Sequence, residues 1–300
     1  MVNAAFLLPG AGSGLPTGGS QRVHAVRTDE MNGDPINAMI FGDGGLGRVV
    51  AAAFAARGDS VRVLGRPSAT SPTPRHRPED VGRADLVVDA SRGDAVLPNV
   101  AAALGAGCRS VIVATTAWDA DRRTVESLLV EHGASAVVAP NFSLGVVLFG
   151  RLVEAATSLF GGLDDVDPYL VEWHRRTKAD RPSGTARDLA RRILANHPRK
   201  TRLADPTNDG PPALDELEVT AIRAGASPGM HLVGFDAPGE TVELRLTARD
   251  RSAYAAGILA AADWLRREPR LPGIHPFDPE VIDDLLQPTA ASAVAAGTAT

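Results

Sequence analysis

The stretch HRRTKADRPSGTA, residues 174–186, joins a histidine, a lysine four residues on and a Pro-Ser-Gly-Thr turn that opens a helical pattern. Ser183 has the chemistry of an N-cap, and the free amides expected around Gly184, Thr185 and Ala186, with the Thr185 hydroxyl, form an anion site suited to a carboxylate. His174 and Lys178 beside that turn give an anionic substrate two candidate proton donors, and the anion in turn keeps Lys178 protonated. This pairing of carboxylate site and acid fits a small-molecule reaction in which nitrogen or oxygen takes up a proton.

A second cluster, FGDGGLG, places Gly42, Gly44 and Gly47 in G-x-G-x-x-G spacing between an apolar strand pattern and a helical one. In that context the loop Gly42–Gly47, including Gly45 and Leu46, reads as a dinucleotide site. Its glycines let the backbone approach a pyrophosphate that the helix amides hold. The next strand ends in VLGRPS, so Gly65 stands where an acid would grip the ribose hydroxyls of NADH, and Arg66 follows. An arginine fork matches a 2′-phosphate, so the expected cofactor is NADPH, with NADH second.

The elements that must carry these residues alternate. INAMIFG, SVRVLGR, ADLVVDAS, SVIVATTA and SAVVAPNFS read as strands, with the helices GRVVAAAFAARG, NVAAALGAG and DRRTVESLLVEHG among them. Strict alternation implies a parallel, Rossmann-type α/β sheet covered on both faces. After Ser143 the rhythm becomes helix LGVVLFGRLVEAATSLF, strand YLVEWH, helix GTARDLARRILANH, strands LEVTAIRA, MHLVGF and TVELRLTA, and the long helix SAYAAGILAAADWLRR. That order implies an α+β unit with a mixed, largely antiparallel sheet. The expected organisation is a flexible extension over 1–35, a dinucleotide domain over 36–142 and 251–287, a substrate domain over 143–250 and a disordered tail over 288–300.

The net charge of −5 with scattered basic residues argues against nucleic acid and anionic membrane as partners. No apolar run reads as the roughly 18 residues needed to span a bilayer, so a cytoplasmic location is expected. The single cysteine, Cys108, reads as a small packed side chain, and no metal site is expected.

VEWHRRTKADRPSGTA resembles the signature of the dihydrodipicolinate reductase family. The similarity continues through FGDGGLG, ATTA, APNFS, IRAGASPGMHLVGF and ARDRSAYAAG, over about residues 36–287. It implies NAD(P)H-dependent reduction of a cyclic imine dicarboxylate in lysine and diaminopimelate synthesis, in a homotetramer. The residues matching the family's motifs are His174 and Lys178 at the imine, with Gly184, Thr185 and Arg251 on the substrate. Thr115, Thr116, Asn141 and Phe142 fall beside the nicotinamide, and His231 is expected to be structural. Arg175 replaces the family's second histidine, which contacts substrate. Arg181, Ala114 and Ala117 are further departures, and Trp173 adds bulk beside His174. These changes keep open a paralogous reductase of another cyclic imine. A nucleotide-binding protein without catalysis is a weaker alternative, given the joint presence of His174, Lys178, Gly184, Thr185 and Arg251.

Overall fold

The computed structural model describes residues 34–66, 75–205, 207 and 210–287; the expected extension over 1–35, save its last two residues, and the tail over 288–300 lie outside them. Five strands follow the expected order: β1 (Asn37–Phe41), β2 (Ser60–Leu64), β3 (Leu86–Asp89), β4 (Ser110–Val113) and β5 (Ser135–Val138). They join a sixth, β11 (Gly273–Pro276), in an all-parallel sheet of order β11-β5-β4-β3-β1-β2. The sequence reading has no strand at GIHP. Four residues closed by a proline carry no alternation signal, and an edge position beside β5 tolerates the missing donor.

Side chains alternate across this sheet. Ile40, Val88, Ile112 and Val137 face one layer, with Val50 and Phe54 of α1 (Gly45–Arg57) and Ile258, Ala261 and Trp264 of α7 (Ser252–Arg267). Val111, Val113, Ala136 and Val138 face the other, against α3 (Gly93–Gly105) and α4 (Arg122–Glu131). Burying a large apolar side chain contributes about 1.5–3 kcal/mol, so central strands apolar on both faces are held where the pattern predicts. α3 begins six residues earlier than expected, because Pro98 lies inside the helix rather than ahead of it. Cys108 is buried, as its setting suggests, and burial pushes its thiol up to about 11.

The second sheet runs β10-β9-β6-β8-β7, with the two-residue β7 (Arg202–Leu203) at one edge. β6 (Asp167–His174) pairs antiparallel with β9 (Met230–Ala237) and parallel with β8 (Glu216–Arg223), and β10 (Glu240–Thr247) extends the antiparallel side. Helices α5 (Leu144–Gly161) and α6 (Gly184–Asn196) cover one face through Phe149, Val153, Leu189 and Ile193, which meet Leu170, Leu217, Val233 and Phe235. α5 corrects one expectation, since its 18 residues are long and apolar enough to cross a membrane by length and composition. The same helix buries Val147, Phe149 and Val153 in the protein core and places Arg151 in ion pairs with Asp278 and Asp283.

Candidate active site

The glycine loop lies at the carboxyl end of the parallel sheet, where β1 and β3 diverge to their crossovers and ligands of such sheets bind. Gly42 has φ 104°, and a Cβ there would stand 2.4 Å from the Ala90 carbonyl after β3. A Cβ on Gly47 would stand 1.9 Å from the Gly42 carbonyl, whereas Gly44 has open space around it. The N-cap of α1 is Gly44, which offers no side-chain bond, so the first amides of the helix are left for an anion. This cradle fits the pyrophosphate of a nicotinamide dinucleotide.

Beside it a cavity of about 600 Å³ is lined by Asp43, Gly65, Arg66, Arg75, His76 and Arg92, among others. The Asp43 carboxylate stands 2.9 Å from where a Gly65 Cβ would be, so the glycine loop itself supplies an acid at the end of β2. A second cavity of about 800 Å³ takes in Gly44, Gly45, Leu46, Thr115, Thr116 and Arg251. The Arg251 guanidinium packs directly on Gly45, where a Cβ would lie 1.8 Å from its Nη1. Arg251, which the resemblance assigns to the substrate, therefore sits beside the glycine loop.

Other residues assigned to the nicotinamide divide by exposure. Thr116 is exposed, while Thr115 is buried with its hydroxyl donating to Asp89 Oδ1 at 2.6 Å. Asp89, wholly buried at the end of β3, also accepts from Ser91 and Asn99 and was not singled out in the sequence. Asn141 caps the chain ahead of α5 by accepting from the Ser143 amide at 2.8 Å. The Phe142 ring belongs to the core, 4.9 Å from the Phe277 ring, and its carbonyl packs against Gly257 of α7. Ala114 and Thr116 line the second cavity together with Ala117, whose φ of 61° is a left-handed conformation that favours glycine.

The second half of the site hangs from β6. Alternation along this strand turns Leu170, Glu172 and His174 inward and Trp173 outward, where its Nε1 donates to the Ala224 carbonyl. Trp173 thus does not crowd His174, contrary to the reading of adjacent bulk. Ser183 caps α6 as expected, its Oγ accepting from the Ala186 amide at 3.1 Å. That bond removes Ala186 from the free amides, and the Gly184 amide bonds to the Asp180 carboxylate. Lys178 Nζ lies 2.7 Å from Asp180 Oδ1. The Asp180 carboxyl is held below the usual carboxylate range chiefly by Lys178, with the Gly184 amide adding to the effect. Arg175 is exposed on the turn and donates from Nε to Thr177 Oγ1 at 3.2 Å.

Glu172 was missed by sequence reasoning. It is fully buried, accepts from the Ser183 amide at 2.9 Å and from Arg223 Nη2 at 2.7 Å, and lies 3.2 Å from His174 Nδ1 and 3.6 Å from His231 Nε2. Its carboxyl is held far below the usual range despite burial, because His231, Ser183 and Arg223 bond to the charged form. Burial, with the cations of Lys178 and Arg223 nearby, lowers the His174 pKa to about 4 against the pull of Glu172. His174 is therefore uncharged near pH 7. Ligand atoms of Glu172, His174 and His231 lie within 4.8 Å of one another, a spacing that could hold a divalent ion. Arg223 already balances that carboxylate, and a second cation beside it would be repelled. His231, with Nε2 3.3 Å from Ser183 Oγ, ties β9 to the start of α6.

A third cavity, of about 450 Å³, lies between loops of the parallel sheet and the body of α6. It is lined by Thr116, Ala117 and Asn141 from the parallel sheet's loops and by Asp188, Arg191 and Arg192 of α6. The helix whose N-terminus forms the carboxylate turn thus extends along the space beside the dinucleotide loops.

The family profile described as dihydrodipicolinate reductase, C-terminus, matches residues 145–276. The 4-hydroxy-tetrahydrodipicolinate reductase of Methanococcoides burtonii is 32% identical over 65% of this chain and 72% of its own. That of Archaeoglobus fulgidus is 35% identical over 65% of this chain and 75% of its own. In fold, the chain resembles a dipicolinate-bound dihydrodipicolinate reductase from Paenisporosarcina sp. TG-14, with a TM-score of 0.62 and 18% identity over 81% of this chain and 97% of that one. The chain belongs to the dihydrodipicolinate (4-hydroxy-tetrahydrodipicolinate) reductase family and is an oxidoreductase of the nicotinamide-dependent kind.

Proposed function

We propose that the protein acts on a cyclic imine dicarboxylate, converting 4-hydroxy-tetrahydrodipicolinate to tetrahydrodipicolinate with loss of the 4-hydroxyl as water, on the route to diaminopimelate and lysine. The observation that carries this reading is the placement of Asp180. An internal carboxylate pairs with Lys178 at 2.7 Å and draws on the Gly184 amide, so the turn into α6 already recognises the group that the substrate would present. A substrate carboxylate takes up the amides of Gly184 and Thr185 and the Thr185 hydroxyl. Arg175 at the rim is placed for a second anionic group.

Loss of water leaves a C=C bond conjugated to the imine; hydride adds to the far carbon of that system as the ring nitrogen takes up a proton, and the enamine so formed returns to the imine. The bound nicotinamide supplies the hydride. Lys178 donates the proton to the ring nitrogen and is reprotonated from solvent. His174, neutral, contacts the substrate by hydrogen bonding rather than as a charged acid.

NADPH is preferred over NADH in this reading. Arg66 and Arg75 line the cavity beside Gly65 and suit a 2′-phosphate, while Asp43 tempers the preference by offering a carboxylate to ribose hydroxyls. The uncovered face of the second sheet carries Val171, Trp173, Ile222 and Leu232, an apolar stripe suited to the homotetramer that the resemblance implies.

Arg175 favours a second reading, in which a paralogous enzyme accepts another cyclic imine. Pyridine-2,6-dicarboxylate distinguishes the two as a planar dicarboxylate that the enzyme cannot reduce. Competitive inhibition against the imine substrate is expected, weakened about tenfold in Thr185→Val by loss of a hydrogen bond to a charged group. Failure of the compound to bind overturns the dicarboxylate assignment.

A further inference from the structure

Glu172 has no solvent exposure, and the chemistry proposed above does not call for a carboxylate at that place. Its two oxygens have different surroundings. Oε1 accepts from the Ser183 amide and from Arg223 Nη2, which anchors the group to the start of α6 and to β8. Oε2 faces His174 Nδ1 at 3.2 Å and His231 Nε2 at 3.6 Å. Both Glu172 Oε2 and His174 Nδ1 are buried without a partner in good hydrogen-bond alignment.

The proton inventory of this pair has one inexpensive solution. An ionised carboxylate can only accept, so a bare Nδ1 would set two lone pairs against each other in a dry site. A proton on Nδ1 instead points toward Oε2, and a small ring rotation completes the bond. The neutral ring then has a bare Nε2, and that atom lies beside Gly229, where a Cβ would stand 3.0 Å from it. The absence of a side chain at 229 leaves the Nε2 edge uncovered on that side.

We propose that Glu172 is a positioning residue that holds His174 in the Nδ1–H tautomer, so that Nε2 faces the substrate as a hydrogen-bond acceptor. Arg223 balances the Glu172 charge, so the cluster orders the ring without needing the imidazolium. The inference rests on the proposed function only in giving His174 a substrate contact; the tautomer is a property of the protein alone.

The test reads the His174 ring nitrogens by ¹⁵N NMR at pH 7 in the full-length enzyme. The wild type is expected to show a protonated Nδ1 and a bare Nε2. Glu172→Gln keeps an oxygen for Ser183 and Arg223 but presents an amide NH₂ to the ring, and the tautomer is expected to switch. Turnover with the imine substrate falls about 100-fold, the scale of a misplaced acid–base group, with NADPH affinity unchanged. This loss does not multiply with that of His174→Ala, as coupled positions require. A wild-type ring with its proton on Nε2 overturns the proposal without any variant, and so does a Glu172→Gln loss that adds in full to His174→Ala. Turnover unaffected by His174→Ala defeats the substrate contact of His174 instead, a failure the tautomer measurement separates from that of Glu172.

Discussion

Two strand-to-helix turns in this molecule present helix N-terminal amides and are built from opposite materials. The turn from β1 into α1 is glycine, with no cap on the helix and a cradle that a single Cβ at Gly47 would fill. The turn from β6 into α6 is capped by Ser183, underpinned by the buried Glu172–Arg223 pair and already engaged by Asp180. The difference follows from what each must hold. A pyrophosphate is large and brings its own charge, so bare backbone and space suffice. A small substrate that must also be protonated needs fixed side chains of defined protonation state, and those need partners within the dry interior.

Substitutions at the two turns should therefore separate binding from chemistry. Lys178→Ala is expected to lower turnover by about 100-fold or more, the range for losing a positioned acid, while the Kd for NADPH by fluorescence titration changes by less than about twofold. A comparable loss of NADPH affinity would break the division of labour between the turns.

The substrate turn is also the acid-sensitive one. His174 has a folded pKa of about 4 against an ordinary 6.5, so its contribution to stability is level above pH 6.5, where neither state binds the proton. As pH falls from 6.5 toward 4 the unfolded chain takes up the proton first, and on the order of 3 kcal/mol of stability is lost. Thermal melts across this range should fall for the wild type and fall less steeply for His174→Gln. Equal slopes would remove His174 as the cause.

At the other turn Arg66→Ala is expected to raise KM for NADPH about tenfold and to leave NADH almost unaffected, through loss of one charged hydrogen bond. Equal effects on both cofactors would move the 2′-phosphate contact elsewhere, Arg75 being the next candidate. The smallest effect concerns the loop between the turns. Ala117→Gly relieves a left-handed backbone and should stabilise the protein by about 1 kcal/mol in chemical denaturation.

The contrast also explains what could be read from the sequence. The parallel sheet was legible because LVVD, SVIV and SAVV are buried on both faces, and the glycine loop because its function lies in backbone freedom that spacing displays. Ser183 was legible as a cap for the same local reason. Glu172 and Asp89 were not, since a charged residue in a strand looks like any solvent-facing one until its partners arrive. Those of Glu172 come from 11 and 51 residues away. One signal was present: Glu172 and His174 stand two apart on a strand, hence on one face, and Leu170 continues that face inward. The positions of Arg251 on Gly45 and of the Phe142 ring in the core depend on tertiary packing, which local patterns do not encode.

The most direct test of the account is oxidation of NADPH by the purified enzyme when freshly generated 4-hydroxy-tetrahydrodipicolinate is added, with NADH offered in parallel. The account predicts substrate-dependent oxidation of both cofactors, with the higher kcat/KM for NADPH. No oxidation with that substrate, together with turnover of a different cyclic imine, would contradict the proposed substrate and make Arg175 the first residue to examine.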